Sequence, residues 1–253
     1  MNFFKLLDAY SLRARLFPAI LGSAPALAAL ALLISWQHLH LSNIIATTTL
    51  LVLLFALADF ARKLGVYVEP KIYAEMGGKP SVTKFRRSDK TIEHTTKDRY
   101  RTFIAAKINQ PVPSSRQESA NQAVADVFYE ACGTWLRAHT RDAKKFPLVF
   151  GENVGYGFRR NQYGLKWVAL GLNLIVVLTC AWLLWYRVPL DMGADLTNRT
   201  TLVFIVAAIH AAYFAFAVTK ESVKTAARKY GRELILSTEA LISPPPAPRK
   251  KGK

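Results

Sequence analysis

Four apolar runs, at residues 17–36, 44–60, 167–186 and 201–218, contain neither Lys nor Arg. A helix needs about 20 apolar residues to cross the ~30 Å hydrocarbon core of a bilayer, and each run comes close to that length. A soluble chain of 253 residues has too little polar surface to cover a core of four such helices. The fold expected is therefore an all-α membrane protein with four transmembrane helices. Arg13 and Arg15 before the first run resemble the start of a signal peptide. The run is too long for one, however, and no small-x-small cleavage site precedes the second run, so it reads as a true span.

Charge then orients the spans. The net charge is +17, yet of the 34 Lys and Arg residues only Arg187 and Arg199 fall in the two short connections, 37–43 and 187–200. All others lie before the first run, in 61–166, or after Val218. By the positive-inside rule those three pieces are cytoplasmic, so both termini lie on the cytoplasmic side. Cys132 falls in the long insert and Cys180 in the third run, so the two are expected to be free thiols.

The expected organisation is a cytoplasmic arm (1–16), a transmembrane hairpin (17–60), a basic helical domain (61–166), a second hairpin (167–218), a cytoplasmic helical extension (219–242) and a disordered basic tail (243–253). Pro18, Gly22 and Pro25 interrupt the first span, and its alanines offer a small-residue surface for close helix packing. In the insert, Ser115 is a plausible N-cap for a helix whose stripe is Val124, Val127, Phe128, Ala131 and Trp135. Residues 95–108 bring together Tyr100, Phe103, Ile104 and Ile108. The fourth span is expected to run on as one helix from 201 to 242, with Gly231 as a possible bend.

Catalytic signatures are missing: there is no P-loop, GxSxG, HExxH or zinc-type Cys/His spacing, so no enzyme, cofactor or metal is expected. The polar run KFRRSDKTIEHTTKDRYRTF holds Asp89, Glu93, His94 and Asp98 among many cations, which fits a mixed-charge helix face better than a metal site.

The stretch GENVGYGFRRNQYGLKW, residues 151–167, is more pointed. Its glycines, Gly155 and Gly157 among them, suit a loop at the membrane surface. Arg159 and Arg160 offer planar forks for phosphate or carboxylate, and Tyr156 and Phe158 offer stacking faces. The alternative is an interfacial elbow in which Tyr163 and Trp167 sit in the aromatic belt and Lys166 meets lipid headgroups. Lys166, Lys84, Arg86, Arg87, Arg99 and Arg101 are the further candidates for holding an anion. Within the spans, Asn173 and His210 are expensive in hydrocarbon and are candidate pore or gate residues, with Asp59 at the inner end of span two and Gly155 and Gly157 as gate residues of the loop.

The segments RRSDKTIEHTTKDRYRTFIAAKI, ADVFYEACGTWLRAHTRDAKKFPLVFGEN and YGFRRNQYGLK resemble a family of bacterial four-span membrane proteins marked by the YGFRRN element, here Tyr156 to Asn161. The architecture also looks like the membrane channel effectors of anti-phage systems, of which the Hailong type is one. That resemblance implies a homo-oligomer with a central pore, an anionic nucleotide or oligonucleotide ligand, a cognate nucleotidyltransferase as partner, and no catalytic residues. The rival expectations are a non-enzymatic scaffold on membrane lipid that recruits a soluble protein, and, behind it, an enzyme acting on lipid.

Overall fold

The structure, a computed structural model, describes residues 9–33, 43–186 and 196–242; the arm before them, the connection 37–43 bar its last residue, most of 187–200 and the basic tail fall outside. Among the described residues the chain is helical, with no strand. It divides into two units. One comprises residues 1–70 and 154–223, the other 71–153 and 224–253.

In the first unit a helical turn (Ala9–Ser11) and a π-helical turn (Leu12–Leu16) lead into α1 (Phe17–Leu33). The second apolar run lies on α2 (Asn43–Glu75). Three helical stretches among the described residues are long and apolar enough to cross a membrane: Leu12–Leu33, Pro147–Trp185 and Leu196–Ala217. Their outward faces are apolar, with Ile175, Leu178 and Trp182 all exposed, and α2 likewise exposes Leu51, Val52 and Leu53. Apolar surface on this scale is costly in water and costs nothing against lipid tails. The inner faces close on small side chains: Ala19, Ala58, Ala61 and Ala169 surround Leu165 and Phe214.

The second unit has a conventional core. Here α3 is Pro80–Thr83, α4 is His94–Ile108, α5 is Ser115–Ala120 and α6 is Gln122–His139. Glu93 caps α4 by accepting from the Thr95 and Thr96 amides, and Asn109 ends it in the left-handed conformation. Ser114, one residue before the expected cap, closes a capping box with Gln117, and Asn121 then restarts the chain as α6. Phe85, Ile104, Tyr129, Cys132 and Leu136 form the centre of the core.

Two expectations are corrected here. The buried face of α6 is Ala125, Phe128, Tyr129, Cys132 and Leu136, while Val124 and Val127 of the expected stripe are 64% and 69% exposed. Both stripes obey helical spacing, so periodicity could not choose between them. Nor do residues 201–242 form one helix. Leu196–Ala212 (α8, after α7, Pro147–Trp185) passes into a π-helical turn, Tyr213–Ala217, and the chain breaks at Val218 before α9, Lys220–Leu236. Thr219 caps α9, its hydroxyl accepting from the Ser222 amide at 3.2 Å. Leu234 and Ile235 of α9 are buried in the core of the second unit. Gly231 does not bend α9, which passes through it; a Cβ there would lie 2.7 Å from the Pro80 Cβ and 2.8 Å from its carbonyl carbon, so the glycine permits close packing on α3. The short α10 (Thr238–Ile242) ends the described chain.

Candidate functional site

The YGFRRNQYGLK segment is not a loop. It lies inside α7, which runs unbroken from Pro147 to Trp185, because nothing in it requires a positive φ: among the described residues Gly77 and Gly78 are the glycines with positive φ. The glycines divide by role. Gly151 and Gly155 face open space, whereas Gly157 comes against Tyr10 and Ala14, and Gly164 against the backbone of Leu64 and Gly65. The expected elbow at Gly155 and Gly157 is thus replaced by a helix whose glycine face admits its neighbours.

From that helix, polar side chains reach α2 and both π-helical turns. Toward α2, Arg160 Nη1 donates to Glu69 Oε1 at 2.9 Å, the Tyr156 hydroxyl donates to the same carboxylate, and the Arg160 guanidinium stacks 5.5 Å from the Tyr156 ring centroid. Arg160 is only 9% exposed, so this is a nearly buried ion pair. Its Nε and Nη2 donate to Asn161 Oδ1 at 3.3 and 3.2 Å.

Toward the first span, Asn161 Nδ2 donates to the Ala14 carbonyl at 2.7 Å. The sequence explains why that carbonyl is available. In an α-helix it would accept from residue 18, and Pro18 has no N–H to give. The chain relaxes into the π-helical turn Leu12–Leu16, and Asn161 takes the acceptor left over.

Toward the π-helical turn after α8, Gln162 Nε2 lies 3.0 Å from the Tyr213 hydroxyl, and Lys166 Nζ donates to the Ala215 and Val218 carbonyls at 3.1 and 3.0 Å. Those carbonyls belong to the second π-helical turn and the residue that ends it. Lys166 therefore serves as a helix C-cap. About two turns of α7, from Arg160 to Lys166, thus supply a hydrogen-bond partner to α2 and to each of the two π-helical turns.

No family model, curated protein or solved structure matches the chain.

The remaining candidates are placed as follows. Arg159 is exposed and Phe158 half-buried beside it. Arg86 forks onto Asp126 at 2.7 and 2.9 Å, Arg87 reaches Asp98 at 3.0 Å and Glu118 at 3.4 Å, and Arg99 pairs with Glu239. Arg101 is fully buried, bonded to Asp98 at 2.6 Å and to the Phe85 carbonyl, with its guanidinium 5.7 Å from the Tyr129 ring centroid. Lys84 is buried beside Thr91, 2.9 Å away, and burial pushes its ammonium below the usual lysine range. Lys97, not foreseen as structural, is fully buried and donates to the Arg86 and Asp89 carbonyls. Lys84, Lys97 and Arg101 are thus buried within the second unit, and Arg86, Arg87 and Arg99 are each paired with a carboxylate, Arg99 remaining exposed. The expected mixed-charge face survives only in part, as the His94–Asp98 contact at 3.0 Å. Among the described residues no group of three His, Cys, Asp or Glu side chains could hold a metal ion.

Of the gate candidates, Asp59 is exposed and pairs with Lys63 at 2.8 Å. Asn173 donates to the Ala207 carbonyl at 3.0 Å, but its Oδ1 is buried without a partner. The His210 ring lies beside the Leu21 and Gly22 backbone without a well-formed hydrogen bond from either nitrogen. Leu21 is the residue whose carbonyl Pro25 leaves unpaired. The partners that sequence reasoning missed are Glu69, Gly65, Asn161 and Gln162. A proline four residues beyond Ala14 was the available signal, since it announces a carbonyl that some side chain must satisfy.

Proposed function

We propose that this chain is a non-enzymatic, oligomeric inner-membrane channel or effector that opens in response to an anionic cytoplasmic ligand, a nucleotide or oligonucleotide, in anti-phage defence. All four apolar runs span the membrane, and the basic insert, both termini and the tail are cytoplasmic. The observation that carries this reading is the pair of π-helical turns, Leu12–Leu16 and Tyr213–Ala217, each held by a side chain of the same segment of α7.

A π-helical turn contains one residue more than the α-helical turn it replaces, so converting one to the other rotates everything beyond by about 100°. Asn161 and Lys166 sit where a small displacement of α7 would favour one state over the other. The buried, unsatisfied atoms of Asn173 and His210 are costly in a closed bundle and would become solvated if rotation turned them toward water. Arg159, exposed at this level of α7, is the cation of the motif open to an incoming anion.

Purified protein in liposomes tests this. Potassium flux is expected to change on adding bacterial nucleotides or short oligodeoxynucleotides, and Asn161→Ala or Lys166→Met is expected to shift the ligand dependence. A flat response to every ligand overturns it. The exposed apolar face of α6, Val124 and Val127, favours a second reading, a scaffold that docks a soluble partner. A stoichiometric partner lost on Val127→Asp, with no flux, would select it.

A further inference from the structure

A cavity of about 170 Å³ lies between the π-helical turn Leu12–Leu16 and α2. Arg15, Asp59 and Arg62 line its polar side, and Leu16, Phe55 and Ala58 its apolar side. Arg15 stacks on Tyr10, 5.5 Å from the ring centroid, yet its Nε is buried with no hydrogen-bond partner. A buried guanidinium N–H left unpaired is unfavourable, and structures rarely retain one without a ligand or water to meet it. Asp59 cannot neutralise the site alone, because its carboxylate is engaged by Lys63 at 2.8 Å. Two guanidinium groups therefore face a cavity with one carboxylate already paired.

We propose that this cavity binds the phosphate of an anionic phospholipid, clasped by Arg15 and Arg62, with its acyl chains lying along Leu16, Phe55 and Ala58. The planar fork of arginine matches two phosphate oxygens at once. The apolar wall selects the source: it continues into the exposed Leu51 and Val52 of the α2 apolar run, which gives acyl chains a path that a free phosphate ion would not use. Because the lipid sits where the first span leaves its π-helical turn, occupancy holds Leu12–Leu16 against α2. The site rests on the membrane reading of these helices and is independent of conduction.

The test uses the full chain, delipidated in detergent and titrated with dioctanoyl phosphatidylglycerol, dioctanoyl phosphatidylcholine or inorganic phosphate, with thermal stabilisation as the readout. Phosphatidylglycerol is expected to stabilise the protein at the lowest concentration. Arg15→Gln and Arg62→Gln are each expected to weaken its apparent affinity by about tenfold. Arg62 is exposed, so Arg62→Gln reports even if Arg15→Gln fails to fold. Arg13→Gln with Lys71→Gln, exposed cations on the same two helical segments but outside the cavity, is expected to change the affinity less than about twofold. Equal loss in that control would mean diffuse charge and overturn the site. Equal stabilisation by inorganic phosphate would overturn the lipid assignment, and the absence of any phosphatidylglycerol effect would overturn both. Lipid binding with no ligand-dependent flux would sink the channel reading alone; flux without lipid binding would sink this site alone.

Discussion

Gly164 of α7 and Gly65 of α2 meet backbone to backbone: a Cβ added to Gly164 would lie 2.5 Å from the Gly65 nitrogen and 2.7 Å from the Leu64 carbonyl oxygen. Backbone cannot swing aside as a side chain can, so Gly164→Ala is expected to force the helices apart and cost about 1–3 kcal/mol. Gly65→Ala, which would meet the Asn161 side chain at 2.2 Å and its Cα at 2.9 Å, should behave alike. Gly151→Ala and Gly155→Ala face open space and should be neutral or stabilise by up to about 1 kcal/mol. Thermal denaturation of the four variants in one detergent separates the two classes.

Glu69→Gln leaves the Arg160 guanidinium nearly buried without a counter-charge, and a loss of about 3–5 kcal/mol is expected. Tyr156→Phe removes one hydrogen bond to the same carboxylate and should cost about 1–2 kcal/mol. A double-mutant cycle of Glu69→Gln with Arg160→Gln checks the coupling: additive losses would show that the pair does not act as a unit.

Acid should weaken the second unit through the cap of α4. A hydrogen bond from the Thr95 hydroxyl, together with those from the Thr95 and Thr96 amides, holds the Glu93 carboxyl down to about 2 from an ordinary 4.5. The folded value lies below the unfolded one, so the contribution is complete above about pH 4.5 and disappears as pH falls toward 2. Denaturant titrations across that window should show a shallower acid slope for Glu93→Gln than for the parent. An unchanged slope would assign acid sensitivity to other carboxylates.

Cys132 should resist maleimide in the folded protein. Burial pushes its thiol up to about 12 from an ordinary 9.0, although Arg101 nearby pulls the other way. At neutral pH that lowers the thiolate fraction by about a thousandfold, before any steric occlusion. Labelling of Cys132 should appear only with denaturant, in step with loss of the second unit's helicity. Rapid native labelling would mean that the Phe85–Tyr129–Leu136 core opens readily.

Residues 94–108 show how much of the fold could be read ahead. Tyr100 and Ile104 are buried, with Phe103 and Ile108 packed at the edge, as spacing implied. Residues 122–139 show the limit: two stripes of equal periodicity compete, and burial of Tyr129, whose hydroxyl donates to Glu118 at 2.6 Å, decides for one of them. The same limit applies to the cations. Arg86, Arg101 and Lys97 look like surface charge in one dimension because their partners Asp126, the Phe85 carbonyl and the Arg86 carbonyl lie up to 40 residues away.

By itself the sequence determined that this chain is helical and built around apolar stretches suited to a bilayer, because run length and the exclusion of Lys and Arg are local properties governed by transfer from water to hydrocarbon. It also marked residues 151–167 as unusual. Only the tertiary structure decided that this segment is a helix with a glycine face, that Arg160 serves Glu69, and that Asn161 and Lys166 repair carbonyls freed at two π-helical turns. The reason is that each of these depends on which backbone groups are left without partners after the helices form, and their partners come from elements distant in the chain.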